Sequence, residues 1–385
     1  MQKLIYLDHA AATPLHPDVK KAMQPFFHDR YANPSALHTP GQQARVAIET
    51  ARHDVAQCLN ARSKEIIFTG SGTESNNLAL FGVVGASTIV RPHIIISSVE
   101  HSSVLQPARE LQRLGVSVTI VPVDQEGFVD VAAIKKAITK RTVLVSIIYA
   151  NNEIGTIQPI RDIAKVIRDA RSRLGSVYPY FHVDACQASA YCDMDTQKLH
   201  VDCMTLNASK VYGPKGIGVL YVRTGTAIQP LMWGGDQEMG IRPGTENVAG
   251  IVGMATALQL SVKRAKKEAP RLEKLSTMLI AGIRKRVSSA FVNGSMVNRL
   301  PNNVHVSFPG YDGEAIVLYL NSRGIAAATG AACTAQVGKE SHVLKACGFD
   351  RERVKGGVRF SLGLDTTAQN IRTVIQEIPS ILSKL

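Results

Sequence analysis

"TVLVSIIYA", residues 142–150, decides the fold. The run carries no charge, is rich in β-branched residues, and is flanked by Arg141 and Asn151. A continuous apolar strand of this kind is buried on both faces, and such strands belong to parallel sheets covered by helices. The flanking segments agree. Upstream, "HIIISS" (93–98) and "VSVTIVPV" (116–123) read as strands, and "SVLQPARELQRLG" (103–115) and "DVAAIKKAITK" (130–140) as helices. Gly115 stops the first of these helices, and Pro107 would have to lie in its first turn. Downstream, "IRDIAKVIRDARSRLG" (160–175) is an amphipathic helix ending at glycine, followed by strands at "YFHVDA" (180–185), "CMTLNA" (203–208) and "GIGVLYV" (216–222). Near the start, residues 41–60 place Val46, Ile48, Ala51, Val55, Cys58 and Leu59 near one helical stripe.

This alternation predicts an α/β fold with a mostly parallel sheet over about residues 15–255. The charged helical stretch at 256–290 reads as a connector. Beyond it, "NNVHVSF" and "GGVRFSLG" read as strands and "EAIVLYLNSRG" and "TAQNIRTVIQEIPSILSKL" as helices, the last begun by Thr366 or Thr367. These form a second, smaller α+β unit.

Bulk properties exclude several classes. The 385 residues are 45% hydrophobic and 19% charged, an ordinary globular balance. No apolar run is long enough to span a membrane, and "MQKLIYLDHAAATP" lacks a leader pattern. A cytoplasmic protein is expected. Six cysteines, at 58, 186, 192, 203, 333 and 347, form neither C-x-x-C nor a zinc spacing and are too sparse for a disulfide scaffold. The net charge is +13, but the basic residues are scattered. The densest run, "VKRAKKEAPRLEKL" (262–275), is interleaved with Glu as a solvated helix face would be. No nucleic-acid-binding signature is present, so no direct nucleic-acid partner is expected.

In open α/β sheets, ligands bind beyond the carboxyl ends of the strands, so polar residues just after predicted strands are candidates. In "FTGSGTESNNLAL" (68–80), small residues precede a helix and suit an anion such as phosphate; a turn with an N-cap explains them equally. His101 follows a strand, where a structural histidine is also common. "YANNEIG" (149–155) offers asparagines for a ligand carboxylate or for an Asx-turn. Asp184 ends an apolar strand, where a carboxylate needs a cation or several donors, and Gln187 lies three residues on. Lys210 occupies the same place on the next strand, where desolvation makes an amine a usable nucleophile. Lys215, between Pro214 and Gly216, reads as a solvated loop charge. Together these residues suggest pyridoxal phosphate, which needs a Schiff-base lysine, an acid for its ring nitrogen and a phosphate cup. In the smaller unit, "AATGAACTAQVGKE" (327–340) surrounds Cys333 with small residues, as an accessible loop nucleophile would require, though an incidental cysteine fits as well. Arg359, in an otherwise apolar strand, could clamp a substrate carboxylate.

With these motifs in place, the chain resembles the NifS/IscS-like cysteine desulfurases, within the class V aminotransferase-like, fold-type I pyridoxal-phosphate enzymes. The resemblance runs in order through "YLDHAAATP", "NPSALH", "FTGSGTESNNLAL", "EHSSV", "NNEIG", "HVDACQ", "SKVYGPKGIG", "RPGTENV", "GAACTA" and "VRFSLG". It implies a large cofactor domain at 15–255 and a small domain, 1–14 plus 256–385, carrying the Cys333 loop. It implies that Lys210 bonds the cofactor, Asp184 pairs with its ring nitrogen, Gln187 with its phenolic oxygen, and His101 stacks on the ring. Gly72, Thr73, Asn207 and Ser209 fall in the phosphate region, with Thr245 reaching in from the second subunit of a homodimer. Asn152 and Arg359 would bind the substrate carboxylate. Cys333 would take sulfur from L-cysteine as a persulfide, release alanine, and pass the sulfur to an acceptor in iron–sulfur assembly or tRNA thiolation. No resident metal is implied, although Cys333 can serve as a transient iron–sulfur ligand. A selenocysteine lyase, another class V enzyme and a cofactor-poor scaffold are the alternatives. Two departures stand out: the family usually has His where this chain has Ser209, and often Ser where it has Asn207. Losing one charge-assisted hydrogen bond costs about 1.5–3 kcal/mol of cofactor binding.

Overall fold

A computed structural model of the chain describes residues 4–330 and 340–385. Strand β1 (Ile5–Tyr6) is followed by helices α1 (Pro17–Met23) and α2 (Thr39–Cys58). The main sheet then takes β2 (Ile66–Thr69), β3 (His93–Ser97), β4 (Ser117–Val121), β5 (Thr142–Ile148), β6 (Tyr180–Asp184), β7 (Cys203–Asn207) and β8 (Gly218–Val222). Its spatial order is β2-β8-β7-β6-β5-β3-β4. Pairing is parallel from β7 to β4, whereas β8 runs antiparallel to both of its neighbours. Every residue of β5 is buried, as its unbroken apolar run requires.

The two-residue period of the strands divides the core. Ile95, Val145, Phe181, Val183, Met204 and Leu206 face one side of the sheet. There they pack against α2, α5 (Val131–Ala137) and α6 (Ile160–Leu174). Ile94, Ile96, Leu144, Tyr180 and Leu220 face the other, under α3 (Gly72–Ala86) and α4 (Ser102–Arg113). Gly175 ends α6 in the left-handed conformation, at φ 58°. The short helix α7 (Thr196–Leu199) bridges β6 and β7.

Helix α8 (Val248–Arg286) is 39 residues long and joins two cores. Ile251, Met254 and Leu258 pack with the main sheet. Leu272, Leu279 and Ile283 pack in a second core. That core is built on β9 (Phe291–Asn293), β10 (Asn303–Ser307), α9 (Gly313–Ser322), β11 (Ile325–Ala326), β12 (Gly357–Ser361) and α12 (Ala368–Leu382), whereas Val343 and Leu344 of α10 (His342–Ala346) and Val354 of α11 (Arg351–Lys355) pack in a separate cluster with Val99, Ile148 and Ile154. Strands β12-β10-β9 form an antiparallel sheet. Strand β1 pairs with β11, and Leu7 is fully buried in this second core. Thr367, with Asn370, caps α12 in a reciprocal box, so it is Thr367 rather than Thr366 that begins the helix.

Two local expectations are corrected. Val46 is 64% exposed. At 3.6 residues per turn it lies roughly 200° around the helix from Ile48, so the buried stripe of α2 runs instead through Ala44, Ile48, Ala51, Arg52 and Val55. Helix α4 starts at Ser102, capped by the His101 side chain, which moves Pro107 out of the first turn into the helix body. Among the described residues no helix is long and apolar enough to cross a membrane.

Candidate active site

The carboxyl ends of β2, β3, β5, β6 and β7 meet at one rim, where the strand order stops following the chain. A cavity of about 280 Å³ opens there. Gly72, Thr73, His101, Asn152, Asp184, Gln187, Asn207, Ser209, Lys210 and Arg359 all line it. Thr245 is exposed and lies outside the cavity of its own chain. Cys333 falls outside the described residues. Lys215 is exposed in its loop and takes no part.

Asp184, at the end of β6, is only 3% exposed. Its Oδ2 accepts from Asn76 Nδ2 at 2.8 Å and its Oδ1 from the Cys186 N–H at 3.1 Å. Asn76 also donates to Ser103 Oγ, and its own Oδ1 is buried without a partner. Lys210 leaves β7 through a short 3₁₀ turn, and its Nζ donates to the carbonyls of Ala10 and Ala11 at 2.8 and 2.6 Å. Gln187 Nε2 donates to the same Ala10 carbonyl at 2.8 Å.

The anion cup is the N-terminus of α3. Ser71 caps it by accepting from the Glu74 N–H, while Gly72 and Thr73 occupy the first turn, where backbone N–H groups have no helical partner. Glycine keeps position 72 open: a Cβ would lie 2.8 Å from Cys186 Sγ and 3.2 Å from Asn207 Cβ, and would force one of these side chains to shift. Ser209 donates through both N–H and Oγ to Asn207 Oδ1, at 3.3 Å each. Burial first, then Asp184, pushes the Cys186 thiol well up, so this cysteine is a neutral packing group.

The histidine reading resolves into two roles at once. His101 Nδ1 accepts from the Ser103 N–H at 3.1 Å and meets Ser103 Oγ at 2.7 Å, which places the ring proton on Nε2, and the ring lines the cavity. The preceding residue, Glu100, is completely buried. Its Oε1 accepts from Ser97 Oγ and from the Ile148 N–H, while Oε2 has no partner. Burial pushes this carboxyl up to about 8. The two asparagines also divide: Asn151 Oδ1 builds the Asx-turn by accepting from the N–H groups of Glu153 and Ile154, and Asn152 faces the cavity.

Arg359 reaches the cavity from β12 with 1% exposure. Nη1 donates to the Asn152 carbonyl at 2.9 Å and Nη2 to Asp8 Oδ1 at 2.8 Å, while Nε is buried without a partner. Nothing in the local sequence marks Asp8, the Ala10 and Ala11 carbonyls, or Asn76 for these contacts. The segment leading to Thr245 is held from beneath. Arg52 makes a two-pronged ion pair with Glu238, both bonds 2.7 Å, and Glu238 Oε2 also accepts from the Phe68 N–H. Glu238 and Met239 have φ of 48° and 61°, a left-handed backbone that this pairing must sustain. Farther on, Arg242 pairs with Glu74 in the first turn of α3.

The model of the aminotransferase class-V family matches residues 5–374. The chain belongs to that family. Its class-V relatives include cysteine desulfurase IscS of Dictyoglomus turgidum, 45% identical over 385 residues, covering 100% of this chain and 96% of that protein. A solved structure titled a NifS-like protein superposes with a TM-score of 0.93 at 35% identity, covering 99% of this chain and 100% of the other. Another, of SspA in complex with cysteine, superposes with a TM-score of 0.79 at 33% identity, covering 93% and 98%. The class-V architecture is the large, mostly parallel sheet with its smaller C-terminal antiparallel sheet.

Proposed function

We propose that this class-V chain is a pyridoxal-phosphate-dependent cysteine desulfurase. The observation that carries the reading is the convergence of a lysine amine, a buried carboxylate, a helix N-terminus and a buried guanidinium on one cavity. The cavity fits the cofactor. The first turn of α3, opened by Gly72, suits its phosphate. Asp184 and Lys210 both line the cavity; Asp184 would pair with the protonated ring nitrogen of a bound cofactor, and the Lys210 amine would join its aldehyde. When bound, the cofactor supplies an electron sink for the substrate α-carbon.

The chain's own groups supply the rest. Arg359 and Asn152 hold the α-carboxylate of L-cysteine. Lys210 takes the α-proton and returns it. The Cys333 thiolate attacks the substrate sulfur: the carbon–sulfur bond breaks, a sulfur–sulfur bond forms on Cys333, and the carbon gains a proton to give alanine. The persulfide then passes to a protein acceptor. The small unit, residues 1–14 and 256–385, carries both Arg359 and Cys333. Thr245, exposed on its own chain, serves the phosphate of a second copy, which makes the enzyme a homodimer working in the cytoplasm.

Alanine production from L-cysteine tests the reading. Cys333→Ala is expected to abolish it while leaving the cofactor's visible absorbance intact, and Lys210→Ala to remove that absorbance. Alanine release at the unmodified rate by Cys333→Ala would refute the role given to Cys333.

A further inference from the structure

We propose that Asp8 is a positioning residue for the substrate carboxylate, acting through Arg359. The inference rests on reading Arg359 as the carboxylate clamp. A guanidinium has five N–H donors in a rigid fork. In Arg359 one Nη1 donor is spent on the Asn152 carbonyl and one Nη2 donor on Asp8 Oδ1. The Nε–H is buried and unpartnered, which leaves it and the remaining Nη donors for a ligand.

Asp8 does not line the cavity. Its backbone is pinned beside the end of β12. Asp8 bridges to Ser361, the Ala10 N–H donates to Ser361 Oγ at 2.8 Å, and Leu7 is buried in the second core. Its carboxylate therefore presents one oxygen at a fixed point, only two residues along the strand from that anchor. The same short segment continues into the carbonyls that hold Lys210 and Gln187. Residues 8–11 thus set Arg359 and Lys210 in one frame, so the distance between the carboxylate clamp and the amine is fixed by a piece of backbone rather than by a flexible contact. A clamp of this kind works only when its fork is oriented in advance.

The role is one of placement, so position should matter more than charge. Asp8→Asn keeps the accepting oxygen where it is. Asp8→Glu keeps the charge but pushes the acceptor one methylene farther out. The assay is steady-state alanine formation from L-cysteine, with cofactor absorbance and a urea melt to verify each variant. Asp8→Glu is expected to raise KM at least tenfold with kcat changed less than threefold; Asp8→Asn is expected to stay within threefold in both. Asp8→Ala should behave as Asp8→Glu does, and Asp8→Ala combined with Arg359→Ala should be no worse than Arg359→Ala alone. A KM unchanged in Asp8→Glu, or penalties that simply add in the double variant, would overturn the inference. If Arg359→Ala itself leaves KM unchanged, the clamp reading has failed first. If the parent protein makes no alanine, the desulfurase reading has failed.

Discussion

Glu100→Gln removes a buried acid that lies one residue from His101. Glu100 has no solvent exposure, and one of its oxygens has no partner. Its pKa in the fold is pushed up to about 8 by burial, from an ordinary value of 4.5. The folded protein therefore holds a proton that the unfolded chain releases. Below the unfolded value both states are protonated and the contribution is fully present. As pH rises between the two values, stability falls, and above about 8 the loss is complete. At about 1.36 kcal/mol per decade, the full loss is on the order of 5 kcal/mol. Gln cannot ionise, yet its oxygen can accept from Ser97 and Ile148 as Oε1 does. Its amide N–H groups, lacking acceptors, add a cost of about 1–3 kcal/mol that does not vary with pH. The stability of Glu100→Gln minus that of the parent should therefore grow by about 3 kcal/mol from pH 5.5 to pH 8. Urea unfolding at several pH values measures it. His182, pushed down to about 4 by burial, destabilises both proteins alike as pH falls below its unfolded value, so it cancels in the difference. A difference that stays constant across this range would refute the reasoning.

Two further outcomes follow from packing. Arg52→Met would leave Glu238 buried and unpaired beside the Phe68 N–H, and urea unfolding should show a loss of about 3–5 kcal/mol, against which an unchanged midpoint would count decisively. Gly72→Ala places a Cβ 2.8 Å from Cys186 Sγ at the mouth of the anion cup. Equilibrium dialysis should show cofactor affinity reduced at least tenfold, with unfolding stability lowered by only about 1–3 kcal/mol.

Most of the site could be read from the chain because the sheet obeys a simple rule. Polar residues that follow apolar strands converge at the carboxyl edge, and that rule picked out His101, the pair Asn151 and Asn152, Asp184 with Gln187 nearby, and Lys210, while the family resemblance chose Asn152 from the pair. Asp8 satisfies the same rule, since it follows the apolar "LIYL", but that strand is short and pairs with Ile325 and Ala326 far along the chain. Nothing local reveals such a partner. Asn76 was missed for a different reason: it lies inside a helix, and only the packing of α3 over β6 brings its amide to Asp184. Val46 misled because a stripe of apolar residues does not show which residues drift off the buried face. The antiparallel direction of β8 was likewise invisible, since an apolar run has the same composition in either orientation.

The placement of residues 8–13 has a consequence for how the chain folds. This segment is made long before its partners, since Asp8 meets Ser361 and Thr13 Oγ1 donates to the Ser209 carbonyl. These residues must wait for Ser361 before they can be placed, at a sequence separation that makes their closure slow. The pocket's ability to take up its cofactor should thus arrive as a late event, after the main sheet has already formed. A nascent chain halted before β12 would hold Asp184 and Lys210 but not the segment's anchor at Ser361.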